Sequence, residues 1–158
     1  KKEKGKTAPA IPKAVKSFLS DTSSFSPEWS GSILRMLPES VRGAYPLLRE
    51  HLRILSAGIC IGEAKGKDFI PAEELALSTA LRPDAFPVAD LDWDDAIRYL
   101  KKEALLLPAG TEKGYVLVRH KKFPLGFAKH LGNRANNLYP QEWRIRTGYI
   151  PEQVKTFE

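Results

Sequence analysis

The sequence predicts an α+β fold: a small, partly closed β-barrel with two or three packed helices, preceded by a flexible basic linker. Three observations carry this. Short β-rich runs are cut by glycine and proline at close intervals, a pattern of kinked strands rather than long flat ones. Between them lie amphipathic stretches with helix-start signals. Hydrophobic content of 42% with three Trp, seven Phe and five Tyr is enough to close a modest core in 158 residues, and no apolar run approaches the roughly 20 residues that span a bilayer.

Residues 1–28 read as the linker, with Pro9, Pro12, Pro27, six early lysines and the polar string Ser20–Ser24; a short helix over Ala14–Leu19 would place Val15, Phe18 and Leu19 on one face. Domain residues 29–148 follow, then a tail from 149 to 158. Ile33, Met36 and Leu37 make Gly31–Leu37 a strand that Pro38 ends, and Ser40 opens a helix that Pro46 delays or kinks. Arg53–Glu63 reads as a buried strand, with Gly58 and Gly62 allowing close backbone approach or a bulge. After a turn at Lys65–Asp68, Pro71 starts a helix whose Glu73 and Glu74 suit the positive end of the helix dipole, and Leu75–Leu81 complete it.

Pro83 and Pro87 break the chain again. Asp92 is an N-cap for a helix over Trp93–Glu103, with Ala96, Ile97 and Leu100 on one face. Leu105–Leu107 makes a short strand. Tyr115–Arg119 and Pro124–Leu131 form a hairpin whose tip is Lys121-Lys122. A single core is favoured over separate modules at 30–108 and 109–148.

The net charge of +6 is uneven. Residues 1–16 carry six Lys and one Glu, and Lys113–Arg146 carries eight basic residues against Glu142 alone, whereas residues 17–112 hold ten basic and fifteen acidic groups. Cations gathered at two places favour a polyanionic partner. Enzyme chemistry is poorly supported. There is no Gly-rich phosphate loop, no metal-ligand spacing of His and Cys, and no nucleophile elbow. Cys60, alone in an apolar string, is expected to be buried and inert. Asp92, Asp94 and Asp95 are explained by capping, and His51, His120 and His130 have no paired base in sight.

The strongest functional signal lies in 124–146, where Lys129, Arg134, Arg144 and Arg146 alternate with Asn133, Asn136, Asn137, Tyr139 and Trp143. Guanidinium groups clamp phosphate in a bidentate manner, amides reach sugars or base edges, and flat rings accept stacking. Each has an ordinary structural alternative. Lysines at a strand edge deter edge pairing, the asparagines cap turns, and the large aromatics pack partly into the barrel.

The pattern Gly126-x-x-Lys129-x-x-Gly132-x-Arg134-x-x-Asn137-x-Tyr139-Pro140, with Arg144 following, resembles the C-terminal RNA-binding (PUA-like) region of the Sun-type RNA cytosine methyltransferases, in particular the bacterial enzymes that modify carbon 5 of a cytosine in small-subunit ribosomal RNA. Leu52–Gly58 and Gly62–Lys67 extend the resemblance over roughly residues 30–147. It implies a PUA-like module that docks RNA for an S-adenosylmethionine-dependent catalytic domain lying outside this chain, in the cytoplasm, with no cofactor and no metal in the module itself. Cys60 matches neither cysteine context of that family's chemistry. On this reading Lys129 and Arg134 hold phosphates, Arg144, Arg146, Lys121 and Lys122 extend the track, Asn133 or Asn137 reaches a sugar or base edge, and Gly126 and Gly132 serve the backbone geometry. The competing readings are a protein-interaction module whose basic face meets an acidic ribosomal or assembly partner, and an enzyme in its own right.

Overall fold

The computed structural model describes residues 13–149; Lys1, Lys2, Lys4, Lys6, Pro9 and Pro12 of the expected linker and residues 150–158 of the expected tail lie outside the described residues. The chain divides into two compact units, Lys1–Phe86 and Pro87–Glu158. Each holds one four-stranded sheet, and neither sheet closes. The α+β class expected from the sequence is therefore observed, while the single partly closed barrel is replaced by two open sheets.

In the N-terminal unit a short helix α1 (Lys13–Lys16) precedes the antiparallel meander β1 (Phe25–Ser30), β2 (Ile33–Pro38), β3 (Ile59–Lys65) and β4 (Asp68–Pro71), in that spatial order. β1 begins within the stretch that reads as linker and runs two residues past it. Pro27 hides it in the sequence, but β1 is an edge strand, where a missing N–H costs no ladder bond. Pro46 sits in the first turn of α2 (Tyr45–His51), as its fixed φ favours, and a single 3-10 turn covers Glu39–Val41.

The strand expected over Arg53–Glu63 starts only at Ile59, and Leu55, an expected core residue, is 86% exposed. Gly62 accounts for the irregularity inside β3. A Cβ there would lie 2.2 Å from the Ile70 carbonyl oxygen, and the β2–β3 register slips beside it, between Leu34 and Arg35. The helix expected from Pro71 to Leu81 is a single turn, α3 (Glu73–Ala76), because Pro71 closes β4 instead. Val15, Leu19, Leu34, Met36, Leu37, Ile61, Leu75 and Ala76 form this unit's core.

The C-terminal unit orders β5 (Val88–Asp90), β6 (Gly114–His120), β7 (Phe123–His130) and β8 (Ala135–Asn137), with β5 parallel to β6 and the others antiparallel. α4 (Trp93–Leu100) begins at Asp92, whose Oδ1 accepts from the Asp95 N–H at 2.8 Å, the cap its sequence announced. Instead of reaching Glu103, the helix stops in a left-handed turn. Glu103 N–H donates to the Arg98 carbonyl and Lys102 N–H to the Tyr99 carbonyl, with Lys102 at φ 61°, a C-terminal position that usually carries glycine.

Leu91, Ala96, Tyr99, Leu105, Val118, Ala128 and Ala135 pack as one cluster, with Tyr139 against it. The buried Tyr99 hydroxyl donates to the Phe127 carbonyl at 3.0 Å, so the largest core side chain leaves no orphaned polar atom. The short strand expected at Leu105–Leu107 reduces to one bridge, Leu105 to Ala135.

Candidate nucleic-acid interface

β6 and β7 turn in two residues, Lys121 and Lys122, with φ of 48° and 70°. A two-residue hairpin of this kind needs positive φ at both positions, which Asn-Gly supplies cheaply and Lys-Lys does not. Both lysines are exposed, and Phe123 beside them is 74% exposed. The tip thus offers two cations and an uncovered ring. Sequence reasoning passes over Phe123 because an apolar residue opening a strand reads as core.

At the other end of β7, eight residues away and roughly 25 Å along the strand, the chain turns through Gly132 into β8. The expected track from the hairpin tip to Arg134 is therefore split between the two ends of the strand. Gly132 takes φ 105°, and a Cβ on it would meet the Lys113 side chain at 2.7 Å. Gly126 takes φ 148°, beside the bulge where the β6–β7 register slips between Val118 and Arg119.

Lys129 pairs across the strands with both Tyr115 and Asn136, which puts the three side chains in one row on one face. Its Nζ lies 4.8 Å from the Tyr115 ring centroid and donates to the Tyr115 hydroxyl at 3.4 Å. The ammonium is held over a ring rather than waving in solvent.

Asn137 departs from its expected role. Its Nδ2 donates to the carbonyls of Tyr99 at 2.8 Å and Glu103 at 3.2 Å, and its Oδ1 accepts from the Tyr139 N–H at 2.9 Å. Both donors of the amide are engaged, so Asn137 ties β8 to the end of α4 and has no N–H left for a base edge. Lys102 reinforces the tie by donating to the carbonyls of Tyr139 and Asn137. Asn133 remains exposed in the loop before β8.

Between α4 and β8 lies an open hollow of about 720 Å³, lined by Arg98, Lys102, Glu103, Leu106 and Arg134 among others. A second, of about 390 Å³, is lined by Lys101, Glu103, Arg144 and Arg146. Glu103 borders both. The C-terminal stretch is fastened here by the Ile145 N–H donating to the Leu100 carbonyl at 3.0 Å. Arg134, Arg144 and Arg146 are exposed, and among the described residues none has a carboxylate partner. Tyr139 packs edge-on against Tyr99, whereas Trp143 is 49% exposed and meets Tyr139 edge-on at 6.4 Å.

The histidines of this unit are structural. The Leu91 carbonyl accepts from His120 Nδ1 at 2.9 Å and the Glu112 carbonyl from His130 Nδ1 at 3.1 Å, since a carbonyl can only accept. In the N-terminal unit Cys60, expected to be buried, is half-buried at the start of β3. That burial still pushes its thiol up, away from the thiolate a nucleophile requires. Among the described residues no group of His, Cys, Asp and Glu could hold a metal ion, and no helix is long and apolar enough to cross a membrane.

Residues 86–145 match the family described as Methyltransferase RsmF PUA domain, a stretch that covers most of the C-terminal unit, all of the larger hollow's lining and part of the smaller one's. Proteins named Ribosomal RNA small subunit methyltransferase F are similar to this chain: one from Shewanella baltica OS195 is 32% identical over 110 residues, covering 66% of this chain and 22% of its own length. One from Shewanella pealeana is 32% identical over 92 residues, 58% of this chain and 18% of its own length. This chain thus spans about a fifth of the relatives it matches. Its C-terminal unit is an RsmF-type PUA region.

Proposed function

We propose, from that RsmF-type PUA region, that the chain binds ribosomal RNA and docks it for a methyltransferase catalytic domain outside these residues. One observation carries the proposal most of the way: three exposed arginines, without carboxylate partners among the described residues, line two hollows that share Glu103 in the unit holding the match to an RNA methyltransferase family. Arg98 and Arg119 in the same unit face the carboxylates of Asp95 and Asp90, whereas these three keep their positive charge uncancelled among the described residues.

In this reading Arg134, Arg144 and Arg146 hold phosphates, while Asn133 reaches a sugar or base edge. Lys121 and Lys122 at the hairpin tip and the ring-backed Lys129 add positive potential at separate points. Transfer of a methyl group from S-adenosylmethionine to carbon 5 of a cytosine would be the work of the catalytic domain, in the cytoplasm. The chain's own residues bind and orient the RNA. The expected result in a fluorescence-anisotropy titration is micromolar or tighter binding to a small-subunit ribosomal RNA helix, weakening as salt rises, with an equal-length DNA duplex binding less well. Equal RNA and DNA affinity would reduce the proposal to a generic cationic patch. Absence of RNA binding at low salt would favour a basic face that meets an acidic ribosomal or assembly protein.

A further inference from the structure

We infer that the larger hollow takes one unpaired nucleotide whose base carries an exocyclic amino group. This rests on the RNA-docking proposal and sharpens it. At about 720 Å³ the hollow is within the roughly 300–1,000 Å³ range of small-ligand sites, far smaller than the footprint of a duplex. Its lining combines the chemistries a nucleotide requires. Arg134 supplies for a phosphate an exposed guanidinium with no carboxylate partner among the described residues. Leu106, 76% exposed, and the exposed Ala104 offer apolar surface for the face of a base.

Glu103 is the informative residue. A carboxylate on a phosphate track lowers affinity by repulsion unless it accepts a hydrogen bond from the ligand. Its backbone is fixed, because the Glu103 N–H donates to the Arg98 carbonyl and its own carbonyl accepts from Asn137. The carboxylate is exposed and has no cationic partner among the described residues, whereas the nearby Asp95 is already paired with Arg98 at 3.4 Å. Glu103 also borders the second hollow, so it is shared by the hollow that Arg134 lines and the one that Arg144 and Arg146 line. That is the layout for holding two flanking phosphates while a carboxylate meets the base between them. A carboxylate only accepts, so it favours a base with an exocyclic amino group, N6 of adenine, N4 of cytosine or N2 of guanine, over uracil, which has none. In an RNA duplex the bases are stacked and the adenine and cytosine amino groups face a deep, narrow major groove that a side chain cannot read, which restricts the site to an unpaired base.

The test uses three RNA hairpins of identical stem: one with a single bulged adenosine or cytidine, one with a bulged uridine, and one without a bulge. Each is titrated with the 158-residue chain and with Glu103→Gln. The amino-bearing bulge is expected to bind at least about fivefold more tightly than the uridine bulge. Glu103→Gln should erase that preference while the bulge-free hairpin binds as well or better, since a negative charge has gone. Equal affinity for the bulges, or a preference that survives Glu103→Gln, overturns the inference; RNA docking stands if the bulge-free hairpin still binds in salt-dependent fashion. Failure of every hairpin to bind removes the docking proposal and this inference together.

Discussion

Each unit contains five arginines, and they are treated oppositely. In the N-terminal unit Arg35, Arg42, Arg49 and Arg82 pair with Glu74, Glu39, Glu28 and Asp84; in the C-terminal unit only Arg98 and Arg119 are paired among the described residues. Exposed leucine runs the other way: Leu47, Leu48, Leu52, Leu55 and Leu77 on the first unit against Leu106 and Leu131 on the second. Composition alone makes both units basic-and-apolar mixtures. The difference is in which groups the fold leaves without partners, and that is where a surface can still bind something.

The comparison is tested hardest inside the N-terminal unit. Leu34→Ala, at a fully buried site, should lower stability by about 2–5 kcal/mol in a denaturant titration, whereas Leu47→Ala, 60% exposed, should stay within about 0.5 kcal/mol. Similar losses at both would mean that α2 carries core packing despite its exposure.

In the C-terminal unit Asn137→Ala should cost about 1–3 kcal/mol, because it removes the side-chain donor to the Glu103 carbonyl, the acceptor of the Tyr139 N–H and one of the two donors to the Tyr99 carbonyl. The readout is the thermal transition; an unchanged midpoint with weakened RNA binding would return Asn137 to the interface. Lys121→Asn with Lys122→Gly should instead stabilise the hairpin by about 1 kcal/mol, since both positions take positive φ. RNA affinity should nevertheless fall several-fold. A more stable protein that binds less well separates charge from folding, while unchanged binding would leave the two lysines as a turn and nothing more.

The smallest effect concerns Asp90 and Arg119. The guanidinium hydrogen bonds hold the Asp90 carboxyl below its usual range. A lowered carboxylate pKa gives stability that is present above about pH 4 and lost as pH falls through the folded value. With side chains 31% and 57% exposed, the pair is worth under about 1 kcal/mol, measurable as the difference from Asp90→Asn between pH 6 and pH 3.

Much of this is legible in the residues, and what is not has physical causes. Asp92 announces its helix because a short acceptor before an amphipathic run has one good use, and Gly62 announces a bulge because a strand rarely tolerates such a residue otherwise. Strands β1, β4, β5 and β8 are invisible in sequence. All four are edge strands; β4, β5 and β8 have only three or four residues, and β1 and β8 are of proline-, serine- or asparagine-bearing sequence, formed by pairing and not by propensity. At the site, the motif from Gly126 to Arg146 is readable, but not that one asparagine is an internal tie, nor that Glu103 borders the two hollows. Both depend on where α4 ends, and Lys102 in a glycine's conformation gives no signal in sequence.

The salt dependence of RNA binding tests the central claim most directly, measured for the natural chain, for Arg134→Ala/Arg144→Ala/Arg146→Ala, and for Arg42→Ala/Arg49→Ala/Arg53→Ala. The slope of log affinity against log salt should shrink by about two in the first variant, near 0.7–0.9 for each phosphate no longer neutralised, and stay unchanged in the second. Equal changes in both, or none in the first, would contradict the assignment of RNA docking to the C-terminal unit.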